Sequence, residues 1–251
     1  MGFALAFFGF AAFFTWMALL CGKTGGVDAI TLGFAYAALA EAFTGVLYLM
    51  ASLFRINPGT LFKAPSGKVR KFYRLLVWPY LFFEYIAWFR YRSSEKEPLF
   101  EEVEEGLFIG GRLIEEDAGQ VWEAGIRAVL DMVAEFGPPS LIANGPDMTY
   151  LALPVLDGTA PSATDLETAT RFVLNARQAG LPVLVHCTFG HGRSATVIAA
   201  SLIRLNKAAT KDEAMEKLMK LKRRIWLSRE QKRALAAYIE LLKSRGATQN
   251  K

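Results

Sequence analysis

Two long apolar stretches near the start of the chain limit what this sequence can fold into. Residues 3–21 carry no charged side chain, and residues 30–54 carry only Glu41. At about 1.5 Å of rise per helical residue, each stretch is long enough to cross about 30 Å of hydrocarbon. The sequence therefore predicts an N-terminal transmembrane helical hairpin.

A cleaved signal peptide is the alternative interpretation of the first stretch. Such a peptide has a basic n-region and small residues before its cleavage site. No Lys or Arg precedes Lys23, and Leu19 and Leu20 stand before Cys21. We therefore expect the first helix to be retained.

The positive charge of the chain lies beside these apolar stretches. Residues 1–92 contain nine Lys or Arg against three Asp or Glu, whereas residues 93–251 contain twenty against twenty-one. The net charge of +5 thus indicates a membrane surface rather than nucleic acid as the partner. By the positive-inside rule, the basic segment after the second stretch is predicted to be cytoplasmic. Its basic residues are Arg55, Lys63, Lys68, Arg70, Lys71 and Arg74.

A third apolar stretch, residues 75–89, is short for a span and contains Pro79 and Glu84. It is rich in Trp, Tyr and Phe, which favour the headgroup zone. We predict an interfacial helix over about 72–91 that lies in the membrane plane. A third crossing is the alternative, and it would place the rest of the chain outside the cytoplasm.

Glu41 lies in the middle of the second stretch, where an ionisable residue is a candidate functional group. Its neighbours at spacings of four are Gly33, Ala37 and Gly45. A face of small residues favours close helix packing. We expect this face to contact the first span or a second copy of the chain, so that a homo-oligomer could form through these helices.

The remaining residues divide into a polar, acidic linker, residues 93–105, and a domain over residues 106–251. The predicted strands are 107–110, 126–133, 150–156 and 181–185, and the predicted helices include 115–124, 164–179 and 194–205. Capping boxes are predicted for Thr164 with Glu167, Thr210 with Glu213 and Ser228 with Gln231. Strands that alternate with helices predict an α/β fold with a mainly parallel central sheet flanked by helices.

The chemistry is indicated by the sequence VLVHCTFGHGRS, residues 183–194. A buried strand that enters a glycine-bearing loop and then a helix aims backbone N–H groups at one point, which makes an anion site. Arg193 can grip phosphate oxygens with its planar fork. Cys187 in that field is expected to be a thiolate, the form that attacks phosphorus. A buried strand-end cysteine with a helix-capping serine is the alternative, but both histidines of the chain also lie in this loop.

Residues 186–194 match the H-C-x5-R-[ST] motif, which resembles the signature loop of cysteine-dependent protein tyrosine and dual-specificity phosphatases. Residues 105–111 and 125–131 resemble the first two strands of dual-specificity domains. The resemblance implies a two-step reaction through a cysteinyl-phosphate, without a metal or another cofactor. It further implies that Ser194 stabilises the departing thiolate and that His186 orients the loop and keeps Cys187 ionised. The loop residues expected to bind phosphate are Thr188, Phe189, Gly190, His191, Gly192 and Arg193.

The same resemblance requires a general acid about thirty residues before the cysteine. Asp157 stands at that distance from Cys187 and is expected to protonate the leaving oxygen and then to activate water. A simple Asp-Gly turn is the alternative. Asp165 is a second candidate, although it is better interpreted as a first-turn helix residue.

Several substrates fit a phosphatase that is anchored in a membrane. A phospholipid headgroup is favoured, because tethering raises the effective concentration of a lipid substrate. His191 can carry charge where lipid-acting relatives have Lys or Arg, whereas Thr188 departs from their usual Lys. The alternatives are a protein phosphatase that acts on membrane-associated phosphoproteins and a phosphate-binding pseudophosphatase scaffold. The expected location is a bacterial inner membrane, with the catalytic domain in the cytoplasm.

Overall fold

The computed structural model of the chain describes residues 2–54, 56–94 and 96–249, with side chains given up to residue 244. It begins with two long helices, α1 (Gly2–Gly25) and α2 (Ala29–Phe54). Both are long and apolar enough to cross a membrane. The predicted pair of N-terminal apolar helices is therefore confirmed.

Helices α1 and α2 contact each other closely through small residues. A side chain at Gly45 of α2 would lie 3.0 Å from the ring of Phe8 in α1, so any larger residue there would push the ring away. Glu41 is only 2% exposed one turn away. Of the small-residue face that carries Glu41, Gly45 is thus buried against the first helix within a single copy of the chain, whereas Ala37 is half-buried and Gly33 is exposed.

The chain between residues 56 and 92 folds against the C-terminal domain. A 3-10 turn (Pro58–Leu61) precedes α3 (Lys71–Leu76) and α4 (Trp78–Arg92), and Pro79 lies in the first turn of α4, where its missing N–H costs nothing. The 15 residues of α4 extend over about 22 Å, which is short of a hydrocarbon core of about 30 Å. One side of α4 is buried. The other exposes Trp78, Phe82, Phe83, Ile86 and Phe89.

A five-stranded sheet of order β1-β2-β5-β3-β4 forms the centre of the C-terminal domain. The strands are β1 (Phe100–Glu104), β2 (Leu107–Gly110), β3 (Ala128–Val133), β4 (Thr149–Val155) and β5 (Val183–His186). All neighbouring pairs are parallel except β1 with β2. The predicted α/β class with a mainly parallel sheet is confirmed. Part of the segment interpreted as a linker, 93–105, is instead the edge strand β1.

Helices cover both faces of this sheet. They are α5 (Ala118–Glu123), α6 (Ser140–Ala143), α7 (Ala163–Gln178), α8 (Arg193–Arg204), α9 (Lys211–Met219) and α10 (Arg229–Gln249). Alternate β3 residues point to opposite faces, so that Leu130 packs in the core beneath α7 and α8 while Val129 packs with α5 and α6. A strand with two covered faces is typical of parallel sheets.

Two of the predicted helix starts are confirmed, and one is wrong. Thr210 caps α9 by accepting from the Glu213 N–H, and Ser228 with Gln231 makes reciprocal bonds before α10. Helix α7 begins with a capping box of Ser162 and Asp165, two residues earlier than expected. The expected partner Glu167 instead lies 2.9 Å from Arg204, so it serves tertiary packing rather than capping.

Candidate active site

The loop between β5 and α8 brings Cys187 and Arg193 to one end of the parallel sheet. Gly190 has a φ of +79°, and a side chain there would lie 2.7 Å from the carbonyl oxygen of Gly110. This conformation turns the Gly190 N–H onto the Cys187 sulfur at 3.2 Å. The Ser194 hydroxyl lies 3.4 Å from the same sulfur. The loop thus brings one backbone N–H and one hydroxyl group to the Cys187 sulfur.

Arg193 is 1% exposed and is held by acceptors on several elements. Its Nη1 donates to Glu135 at 3.0 Å and to the Val155 carbonyl at 2.6 Å, and its Nη2 donates to the Thr188 hydroxyl at 2.8 Å. Burial alone would lower its pKa, but Glu135 and Asp157 raise that pKa well above its ordinary value. Arg193 is therefore a fixed cation beside Cys187.

Asp157 also lies at this site, at the start of the loop that follows β4. Its carboxylate is 2.8 Å from Nη2 of Arg193, and its side chain is 31% exposed. The contact occupies Nη2 of Arg193, which also donates to the Thr188 hydroxyl. Asp165, the second candidate acid, instead accepts from the Ser162 N–H at 2.8 Å and is a first-turn residue of α7, as the sequence indicated.

His186 lies behind the loop in a buried polar cluster rather than at the surface. Its Nε2 is 3.8 Å from Asp131, which accepts from Lys63 at 2.6 Å and from the Tyr150 hydroxyl at 2.7 Å. Burial lowers the pKa of His186, so the ring is neutral near pH 7. Lys63 is fully buried here. It is therefore not one of the cations at the membrane surface, as the charge pattern had indicated.

The outer side of the loop between β5 and α8 contacts three residues that the sequence did not predict at the site: Tyr91, Glu97 and Arg223. His191, expected in the phosphate pocket, has Nε2 2.9 Å from Glu97 and 3.2 Å from the Tyr91 hydroxyl. Arg223, which is 3% exposed, donates to the Phe189 carbonyl at 2.8 Å. The Arg223 contact therefore holds the loop backbone at Phe189 from outside, and Glu97 and Tyr91 hold the His191 side chain.

The support of Arg193 by Glu135 was also absent from the sequence prediction. Glu135 follows β3 in an ordinary-looking loop, and no spacing rule connects it to residue 193. A fully buried carboxylate is costly unless it is paired, but its burial cannot be read from the sequence. Among the residues that the structure describes, no three His, Cys, Asp or Glu side chains converge as metal ligands would.

Cys187 and Arg193 thus lie on one loop at the end of the parallel sheet, and Asp157 contacts Arg193 there. The profile of the dual specificity phosphatase catalytic domain matches residues 114–240, which is about half of the chain. The chain therefore belongs to the dual specificity phosphatase family, and it is a phosphoric monoester hydrolase.

Individual relatives support the same assignment. Phosphatidylglycerophosphate phosphatase PTPMT2 of Arabidopsis thaliana is 25% identical over 191 residues, which cover 74% of this chain and 82% of the relative. Dual specificity protein phosphatase 12 of Homo sapiens is 37% identical over 125 residues, which cover 48% of this chain but only 36% of that protein. The chain is thus related to both lipid phosphatases and dual-specificity phosphatases.

Solved structures share the fold of the C-terminal domain. PTPMT1 in complex with PI(5)P covers 59% of this chain and 99% of its own length, with a TM-score of 0.55 and 22% identity. Tk-PTP in the active form covers 57% and 97%, with a TM-score of 0.51 and 27% identity. Each of these structures covers somewhat more than half of this chain, and the match to the family begins at residue 114, after the N-terminal hairpin and α4.

Proposed function

We propose that this chain is a membrane-anchored phosphatase that hydrolyses the phosphate monoester of a phospholipid headgroup. One observation carries this proposal: the loop that contains Asp157 and Gly158, here called the acid loop, lies directly against the membrane hairpin. The Tyr48 hydroxyl of α2 donates to the Asp157 carbonyl at 2.9 Å, and a side chain at Gly158 would come within 2.5 Å of the Phe3 ring of α1. With the hairpin in a bilayer, the site would stand at headgroup level.

The position of the hairpin supports a defined orientation. Because α1 begins and α2 ends beside the C-terminal domain, the short loop at residues 26–28 lies at the far end of both helices. Exposed basic residues, among them Lys68, Arg70 and Lys71, follow α2 on the side of the domain. The positive-inside rule then places the catalytic domain in the cytoplasm, and a bacterial inner membrane is the location we propose.

Helix α4 provides a second contact with lipid. Its exposed side carries Trp78, Phe82 and Phe89, while its buried side carries Tyr80 and Trp88 against the catalytic domain. A helix with an aromatic outer face, flanked by basic residues, lies in the plane of the interface. The hairpin and α4 together would hold the catalytic pocket close to the membrane surface.

The geometry supports a two-step reaction. The Cys187 thiolate attacks phosphorus, the bond between phosphorus and the ester oxygen breaks, and Asp157 gives its proton to the departing oxygen. Arg193 holds the equatorial oxygens as charge develops on them. Water then attacks the cysteinyl-phosphate, Asp157 takes a proton from that water, and Ser194 donates to the departing sulfur. Phosphate leaves and the thiolate is restored.

Two similar proteins favour a lipid substrate. PTPMT2 is named a phosphatidylglycerophosphate phosphatase, and PTPMT1 was solved with PI(5)P. The alternative is a phosphoprotein at the membrane, which the relationship to dual specificity protein phosphatase 12 favours. A pseudophosphatase scaffold is disfavoured, because the residues needed for turnover are assembled: Ser194 contacts Cys187, and Arg193 lies near that cysteine.

The test uses the full chain in mixed micelles. Phosphate release is measured from phosphatidylglycerophosphate, phosphatidic acid and phosphoinositides, beside phosphotyrosine peptides of equal concentration. We expect a higher kcat/KM for a lipid. Cys187→Ser should abolish turnover, whereas Cys21→Ser, in α1, is the matched control and should retain it. Preference for the peptides would overturn the lipid assignment, and turnover by Cys187→Ser would overturn the covalent mechanism.

A further inference from the structure

Two tyrosines outside the shared phosphatase domain reach its active site. Tyr48 lies near the end of α2 and Tyr80 near the start of α4, and each is 4% exposed. Their hydroxyl oxygens are 3.3 Å apart. A hydroxyl has one proton to donate, and each of these protons is directed to a different part of the site.

Tyr48 acts on the loop that carries the candidate acid. Its hydroxyl donates to the backbone carbonyl of Asp157 at 2.9 Å. Its ring stacks on Phe3 and Phe7 of α1, with centroids 5.5 Å and 5.0 Å away. The hairpin thus fixes the position and orientation of the Asp157 backbone through Tyr48.

Tyr80 acts on the support of the catalytic arginine. Its hydroxyl donates to Oε1 of Glu135 at 3.1 Å, and the Asp157 N–H donates to the same oxygen at 2.8 Å. Glu135 in turn accepts from Arg193 at 3.0 Å. Burial raises the pKa of Tyr80 well above its ordinary value, so its phenol stays a neutral donor at physiological pH.

We propose that Tyr48 and Tyr80 are positioning residues of the phosphatase reaction, Tyr48 through the acid loop and Tyr80 through Glu135 and Arg193. The membrane hairpin is then a working part of the catalytic unit as well as an anchor. This inference rests on the roles proposed for Asp157 and Arg193, and it is independent of whether the substrate is a lipid.

The two roles predict different responses to the leaving group. Phenyl phosphate needs protonation of its leaving oxygen more than 4-nitrophenyl phosphate, whose phenolate is stable. Because Asp157 also serves the hydrolysis of the cysteinyl-phosphate, which contributes to kcat for both substrates, the comparison uses kcat/KM, which reports the leaving-group step. Tyr48→Phe should therefore lower kcat/KM for phenyl phosphate about fivefold, the value of one hydrogen bond, and leave kcat/KM for 4-nitrophenyl phosphate unchanged. Tyr80→Phe removes a bond to a charged group, so it should lower kcat/KM for both substrates about tenfold.

The experiment measures both substrates with the full chain in detergent, in the same preparation of each variant. The ratio of the two kcat/KM values does not depend on the folded fraction, so partial misfolding cannot imitate the Tyr48 effect. Tyr85→Phe is the matched control, because Tyr85 lies on α4 with its ring exposed. Asp157→Asn is measured in parallel, and it should change the ratio more strongly than Tyr48→Phe.

Three results would overturn the inference. An unchanged ratio in Tyr48→Phe removes the acid-loop role, and a Tyr80→Phe enzyme with the activity of Tyr85→Phe removes the arginine role. An unchanged ratio in Asp157→Asn removes the acid itself and, with it, the part assigned to Tyr48. None of these results bears on lipid preference, which is tested separately by comparing phospholipids with phosphotyrosine peptides as substrates.

Discussion

Replacing Lys63 by Met tests whether the segment after α2 is an integral part of the catalytic domain. The Lys63 ammonium is fully buried and donates to Asp131, to the Val133 carbonyl and to the Phe136 carbonyl at 2.6, 2.8 and 2.9 Å. Although burial alone would raise the pKa of Asp131, the Lys63 ammonium lowers it below its ordinary value. The substitution would leave that carboxylate buried without its main counter-charge.

Breaking a buried ion pair from one side costs about 3–5 kcal/mol. Asp131 would keep its bonds from the Tyr150 hydroxyl and from the Val133 N–H, at 2.7 and 2.8 Å, so we expect the lower end, about 3 kcal/mol. In a chain of this size, each kcal/mol shifts Tm by about 2–4 °C. The expected loss for Lys63→Met is therefore about 6–12 °C.

The assay is thermal unfolding of the full chain in detergent, followed by tryptophan fluorescence. Lys68→Met is the matched control, because Lys68 lies on the same segment and is exposed. Adding Asp131→Asn to Lys63→Met should recover part of the lost Tm, since it removes the unpaired charge. If Lys63→Met unfolds no earlier than the control, or if the double variant unfolds no later than Lys63→Met, the reasoning is refuted.

Two further outcomes follow from the loop and the cluster behind it. Gly190→Ala places a side chain at a φ of +79°, 2.7 Å from the Gly110 carbonyl oxygen. The substitution should lower the free energy of unfolding by about 1–2 kcal/mol and abolish turnover of 4-nitrophenyl phosphate. A variant with the wild-type kcat would contradict this. His186 has a lowered pKa when folded, so the unfolded chain binds its proton first, and Tm should fall as pH drops below about 6.5. His186→Gln should flatten that slope relative to wild type, and an equal slope would show that His186 does not titrate this way.

The sequence was most informative where one short segment contains both the local structure and the chemistry. Residues 183–194 specify a strand, a tight turn with glycine and a helix, and the structure has them at the expected positions. Asp157 was accessible to prediction only through the family resemblance, which implies an acid about thirty residues before the cysteine. In the structure its carboxylate lies 2.8 Å from Arg193.

Contacts between distant segments were not accessible in the same way. Lys63 and Asp131 are 68 residues apart, and a lysine in a basic run after an apolar helix has the appearance of a membrane-surface charge. The edge strand β1 was missed because its sequence, FEEVE, is mostly charged. Such a strand pairs on one side only, so its charges stay near solvent, and no hydrophobic alternation marks it.

The anchoring of residues 57–70 also determines where this protein can be divided. Asn57 donates to the Pro154 carbonyl at 2.9 Å, and Phe62 is 1% exposed. A fragment that starts at residue 93 would therefore carry an apolar hollow and an uncompensated carboxylate at Asp131. A fragment that starts near Asn57 would keep these contacts, but it would lose Leu47 and Tyr48 of α2, which pack with Leu156 and reach Asp157. Membrane-free enzymology of this phosphatase would therefore need both the stretch after α2 and a replacement for that part of the hairpin.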